Sequence, residues 1–451
     1  MSRESEKLFE AIGHASDGQI EESQGPRRRR KLRWAAPLAA VIALAILLTV
    51  VLTGPGRGSA YAVAEAKYPK ERLTRVPPVA AGMMEGFLRR SLPVLLAGQE
   101  GENRVCSPLN IYMALSMLAE TAGGESRAQV LDLLGAEDME SQRERARQLW
   151  ERSYLPAEDR YGACLLASSL WLDSGIPYKR ETAELLAEEY YASVFQGDLG
   201  SEKLNEALRG WLNAQTGGLL AEQAAQAALP TDTALALAAT LYFKGNWANE
   251  FEKSDTAPRS FYGPGGERTV DFMHGEERGM YYRGESFTAA AKGFTNARSM
   301  LFVLPEEGLT PEALLSEEEF MDFLAGDRSA WEGKAEATVR YALPRFDVAE
   351  TMDLLSVLAD LGVTDVLDPA LADFSPIMDV PAALTKAEHA CRVKVDEEGC
   401  EAAAYTLMGY GGGMIVELEE VDFILDRPFL FAVLNQEGRP LFVGIVNDPA
   451  A

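Results

Sequence analysis

Histidine is almost missing from this 451-residue chain: only His14, His274 and His389 occur, no two of them close together. A helical His-pair zinc site is therefore excluded. Cysteine is nearly as scarce, with Cys106, Cys164, Cys391 and Cys400, too few for a disulfide scaffold of this size. Cys391 and Cys400 fall in a run that reads as extended, which would part them by about 30 Å and prevent bridging. Buried thiols are expected for all four. Basic residues are outnumbered, 43 against 69 acidic, giving a net charge of -26, and that argues against nucleic acid as a partner. What the chain does have is 47% apolar and 25% charged residues, enough for a sizeable core, so disorder is excluded for most of it.

Charge is unevenly placed. Residues 1–33 carry eight Lys/Arg against six Asp/Glu, and an uncharged apolar run, Trp34 to Thr53, follows at once. As a helix it would span about 30 Å, the thickness of a bilayer core. The expectation is a transmembrane signal anchor over 34–53, a basic cytoplasmic segment over 1–33 touching anionic headgroups, and everything beyond 54 outside the cell. The competing reading is secretion after cleavage near Ala62, at Ala60-Tyr61-Ala62.

Residues 54–76, Gly-rich at their start, read as a tether. From residue 77 to 451 no second linker divides the chain, so one large domain is expected. Helical periodicity is visible over 83–98, 109–123, 140–154 and 351–363. Strand-like runs occupy 234–245, 299–305, 391–398, 429–436 and 440–446. The last two, separated by Glu437-Gly438-Arg439, read as a hairpin. The fold class is α+β, helical early and strand-rich late.

Residues 395–428 stand out. A strand meets the acidic pair Glu397-Glu398 and Gly399; small residues follow, then a Gly-rich tract at Gly409 and Gly411–Gly413. About 25 residues between two strands is long for a structureless connection. Its first part has the pattern of a strand: Cys400, Ala402, Ala404, Thr406 and Met408 alternate with Glu401, Ala403, Tyr405 and Leu407. Glu401 must face water, which leaves the other row, small or apolar, for burial. The same stretch would serve equally as a plain surface loop.

This stretch resembles the hinge and reactive-centre loop of a serpin, in Glu397-Glu398-Gly399-Cys400-Glu401-Ala402-Ala403-Ala404 with Thr406 following, and in His389-Ala390 before it. Further segments are similar to the family in its own order: CSPLNIYMALSMLAETAGGES (106–126), WLNAQTGGLL (211–220), LYFKGNW (241–247) with Phe251, Thr256 and Phe261, LPRF (343–346), ADFSPI (372–377), DRPFLFAV (426–433) and LFVGIVNDP (441–449). There are departures. The family's shutter serine is Asn110 here, its shutter asparagine is Ala239, and the threonine after the hinge glycine is Cys400.

The resemblance implies a serpin fold with a helical N-terminal half, three sheets including a large central one, and an exposed loop; with the anchor, it suggests a bacterial-type member. It implies no cofactor or metal, a monomer, and suicide inhibition of a serine protease as covalent partner. The cut loop would enter the central sheet as an extra strand and trap the acyl-enzyme. Ser107, Asn110, His389 and Trp247 would belong to the shutter and breach beneath the insertion site, and Glu397 would pin the top of the gap. Family spacing from Gly399 places the cut after Gly413, and counting back from Phe423 and Pro428 places it after Met414. Met414-Ile415 is preferred, because glycine offers a protease pocket little. Residues 401–426 hold no Lys or Arg, so the target should be elastase-, chymotrypsin- or subtilisin-like rather than trypsin-like. A non-inhibitory binding protein is the alternative, kept open by Tyr405 and the altered shutter. An enzyme is not expected: a hydrolase would need a nucleophile and a base, only His274 and His389 lie in the domain, and His274, near acidic residues in FMHGEE, has no recognisable nucleophile motif.

Overall fold

A computed structural model describes residues 60–66, 68–69, 73, 82–99, 101–156, 159, 161–400 and 418–450. All of them lie within the compact unit Ile46–Ala451. Its helices are α1 (Glu85–Leu95), α2 (Pro108–Thr121), α3 (Gly124–Leu134), α4 (Met139–Ser153), α5 (Arg180–Glu189), α6 (Glu202–Gln215), α7 (Ala221–Gln226), α8 (Pro311–Leu314), α9 (Glu318–Ala325) and α10 (Leu354–Asp360). The strands up to the middle of the chain are β1 (Tyr61–Ala64), β2 (Arg104–Cys106), β3 (Gly162–Asp173), β4 (Ala192–Gly197), β5 (Leu235–Asn246), β6 (Ala257–Gly263), β7 (Gly266–Arg283), β8 (Phe287–Gly293) and β9 (Ser299–Pro305). The remaining ones are β10 (Lys334–Pro344), β11 (Phe346–Asp353), β12 (Glu388–Val395), β13 (Gly399–Cys400), β14 (Glu419–Ile424), β15 (Phe429–Leu434) and β16 (Pro440–Val446).

The central sheet has seven strands in the order β1-β4-β3-β5-β13-β12-β11. It is mixed: β3 and β4 run parallel, and the other neighbours are antiparallel. Hydrogen bonding links the other strands into one nine-stranded sheet rather than two smaller ones. The cause is the 18-residue β7, which pairs with β6 near its start, β8 near its end and β10 between. The hairpin of β15 and β16 forms as read, its strands antiparallel across residues 435–439.

Side chains alternate across β5, and so do its two cores. Leu235, Leu241 and Phe243 belong to the main core, in which α2 is buried on nearly every side. Ala236 belongs to a second cluster with Trp171 of β3 and with Leu204, Leu208 and Trp211, which form one stripe of α6. The central sheet is thus sandwiched between α2 and α6. Helix α2 starts at Ser107, whose hydroxyl accepts the Asn110 backbone N–H, with Pro108 at the first helical position, where no N–H is needed.

Several expectations change. Tyr61–Ala64, inside the expected tether, is a strand antiparallel to β4, and Tyr68 stacks on Trp150 and Tyr154. Apolar side chains outweigh the flexible composition upstream. All four cysteines are buried thiols, but the run 391–398 is not extended throughout. Asp396 turns the chain by accepting the N–H groups of Glu398 and Gly399, and Cys400 lies opposite Val395. The location is also corrected. Among the described residues no helix is long and apolar enough to cross a membrane, and residues 34–53 lie outside the described residues. The single-pass membrane placement, the membrane as partner, the extracellular exposure and the secreted form cut near Ala62 find no support among the described residues.

Candidate functional site

The expected site residues fall into two groups along the boundary between β5 and β12. The upper group surrounds the turn from Asp396 to Gly399. Glu397 is buried, only 3% exposed, and a buried carboxylate must be paired. Arg345, in the loop between β10 and β11, donates to it through Nε at 2.8 Å and through a second guanidinium nitrogen, and Thr256 donates its hydroxyl at 2.5 Å. Burial works to raise the Glu397 pKa; the bonds from Arg345 and Thr256 outweigh it and hold the carboxyl below its ordinary value. Glu398 is paired with Lys253.

Trp247 braces the same turn. Its backbone N–H donates to the Glu398 carbonyl and its indole N–H to the Asp396 carbonyl, each at 3.0 Å. The ring is fully buried and stacks on Phe294 at 4.5 Å. Beneath it lies Lys292, itself buried, bonded to Glu277 at 2.7 Å, with its ammonium 4.5 Å from the Phe251 ring centre. Gly399 sits so close to β5 that a Cβ there would strike the Gly245 carbonyl oxygen.

The lower group, about Ser107, is a different cluster. The Ser107 N–H donates to His389 Nε2 at 2.9 Å, and its hydroxyl donates to the Leu441 carbonyl at 2.7 Å. Because Nε2 accepts, His389 carries its proton on Nδ1 and is neutral. Burial pushes its pKa down to about 4. Asn110 reaches from α2 to the backbone of β5 at Ala239. Trp247 does not join this cluster; it belongs to the upper one. His274, the other histidine of the domain, bonds the Asp255 carbonyl through Nδ1.

Between the two groups the sheet is incomplete. Among the described residues β5 and β12 share no ladder of their own. They are joined by the two residues of β13, with Gly399 opposite Asn246, and Cys400 opposite both Gly245 and Val395. A cavity of about 90 Å³ lies on the α6 face of this seam, and one of about 50 Å³ on the α2 face. The second is lined by Asn110, Leu237, Ala239 and His389.

Glu401, Ala402, Ala403, Ala404, Thr406, Gly413, Met414 and Ile415 lie outside the described residues. Arg345 and Lys253, the partners of the acidic pair, were not singled out from the sequence. The available signal was Glu397 itself, since an acid placed for burial needs a cation.

The family model "Serpin (serine protease inhibitor)" matches residues 89–449, and the chain belongs to the serpin family. Neuroserpin of Rattus norvegicus is 30% identical over 371 residues, covering 79% of this chain and 88% of that protein. Serpin-ZX of Arabidopsis thaliana is 27% identical over 376 residues, covering 79% and 94%. These are animal and plant proteins and lend no support to a bacterial-type assignment. Among solved structures, the thermophilic serpin tengpin in its native state superposes with a TM-score of 0.72 at 23% identity, covering 86% of this chain and 100% of that one. An Arabidopsis serpin in its native stressed conformation gives 0.69 at 24%, covering 82% and 97%. At such identity the likeness shows the fold. The family's description is that of an inhibitor rather than an enzyme.

Proposed function

We propose that this serpin is a suicide inhibitor of serine proteases, acting as a monomer through cleavage of the segment that follows Cys400. The observation that carries the reading is the seam: β5 and β12 stand on either side of a two-residue strand, and the chain leads directly out of that strand into the expected loop. A protease cutting after Met414, or after Gly413, would form an acyl-enzyme and free residues 401–413 to lengthen β13. Each added residue brings backbone hydrogen bonds to both neighbours and buries small side chains, so the cut form is the more stable one. The inhibitor wins if insertion outruns deacylation.

The hinge Glu397-Glu398-Gly399-Cys400-Glu401-Ala402-Ala403-Ala404 has no proline and little bulk, which favours inhibition over a binding-only serpin fold. The lack of Lys and Arg over residues 401–426 directs the proposal to elastase-, chymotrypsin- or subtilisin-like enzymes. The test is incubation with one enzyme of each type and with trypsin. An SDS-resistant complex with the former and none with trypsin is expected, with the cut mapped by mass spectrometry to Met414-Ile415 or Gly413-Met414. Turnover without a complex, or cleavage outside residues 407–416, would overturn it.

A further inference from the structure

The cavity on the α6 face holds two polar atoms with no partner among the described residues: Thr240 Oγ1, on a residue 3% exposed, and Gln223 Oε1. Buried polar atoms left unbonded are costly, so a group that could bond either of them would be stabilised in this cavity. Its walls are the same-facing residues of the two strands at the seam: Ala238 and Thr240 from β5, Glu388 and Ala390 from β12, roofed by Leu212 and Gln223.

The observed pairing indicates which segment belongs there. With Gly399 opposite Asn246 and Cys400 opposite Gly245 and Val395, an unbulged continuation moves one residue along β13 for each residue back along both neighbours. Glu401 then falls between Lys244 and Lys394, a carboxylate between two cations on one face. Four residues on, Tyr405 falls between Thr240 and Ala390. Both of these residues line the cavity.

We infer that the α6-side cavity is the receiving pocket for the Tyr405 side chain when the loop inserts, with the phenol hydrogen-bonded at Gln223 or Thr240. This rests on the insertion reading above. It turns the bulkiest residue of the hinge region from an obstacle into an anchor. The cavity, about 90 Å³, is the right order for one ring, given that a dry cavity of about 150 Å³ takes up benzene and that this one opens on the seam. The neighbouring residues sort themselves accordingly. Thr406 falls opposite Ala239 and His389, which line the smaller cavity on the α2 face.

The experiment is a double-mutant cycle read as the rise in unfolding temperature when the full-length chain is nicked in its loop by a chymotrypsin-like enzyme. Ala238→Phe fills the pocket and should cut the wild-type rise by several degrees. Combined with Tyr405→Ala, which vacates the space, it should cost nothing further. Gln223→Ala, at a half-exposed position tolerant of change, should reduce the rise in the wild-type background and leave it unaltered with Tyr405→Phe. Losses that simply add, with a normal wild-type rise, would overturn the pocket assignment alone. No rise in the wild-type chain would instead overturn insertion itself, and the pocket with it.

Discussion

Asn110 Nδ2 donates a hydrogen bond to the carbonyl oxygen of Ala239 at 3.1 Å. By the family resemblance these are the two positions at which the chain departs from the shutter pattern, and here the side chain of one meets the backbone of the other. The family pattern has serine on the helix and asparagine on the strand; here the amide is on the helix and the strand has lost its polar side chain. The resemblance thus implies one exchange across this contact, with the amide supplied from the helix.

That exchange predicts the behaviour of its variants. Asn110→Ala should destabilise the uncut protein by about 1 kcal/mol, the ordinary net worth of a lost hydrogen bond. Asn110→Ser should cost a similar amount alone and recover most of it when combined with Ala239→Asn. Urea unfolding of these proteins and of Ala239→Asn alone measures this, and single losses that simply add in the double variant would show the sites to be independent.

His389 makes stability depend on pH. Its folded pKa is pushed to about 4 by burial, against 6.5 when free. Above pH 6.5 both states are neutral and the stability is complete. As pH falls from 6.5 towards 4 the unfolded chain takes up a proton that the native one refuses, so stability declines, by about 3 kcal/mol at the limit. His389→Gln should flatten this part of the profile. A wild-type unfolding free energy that is level from pH 7 to pH 5 would contradict the assignment.

Much of this was legible in the chain, and the rest was hidden for identifiable reasons. The bounds of β9 and β16 match the apolar runs residue for residue, because seven-residue, largely apolar runs carrying Val, Ile or Phe between turn residues are too short for a helix and suit a buried strand. The helix expected over 351–363 starts later, at Leu354. Thr351 and Met352 pair with Ala390 and His389 instead, and the Asp353 carboxylate caps the helix through the Leu355 N–H. Periodicity cannot see a strand that shares its last residues with a helix start. Arg345 was invisible for another reason: its partner Glu397 lies 52 positions away, and local pattern carries nothing of so distant a pairing.

Glu397→Gln tests that pairing. The folded carboxyl titrates below its ordinary value, so the charged form stabilises the fold at neutral pH, and that contribution is lost as pH falls through the folded pKa. Gln keeps the shape and removes the charge beneath the Arg345 guanidinium. A loss of about 2 kcal/mol at pH 7 is expected, in the range for charge-assisted bonds, shrinking towards pH 3. A pH-independent loss would point to packing alone.

Gly399 offers a test of the seam without touching the loop's chemistry. A methyl group there would strike the Gly245 carbonyl oxygen, and the backbone φ of +156° is one that other residues rarely adopt. Gly399→Ala must therefore lift β13 away from β5. Strain of this kind costs about 1–3 kcal/mol, and the backbone amides of Gly245, Asn246 and Cys400 should lose hydrogen-exchange protection while those in the middle of β9 keep theirs. Insertion would start from an unseated strand, so more inhibitor should be consumed as substrate for each protease molecule trapped. Unchanged protection together with unchanged stoichiometry would mean that the two-residue strand does not guide the entry of the residues behind it.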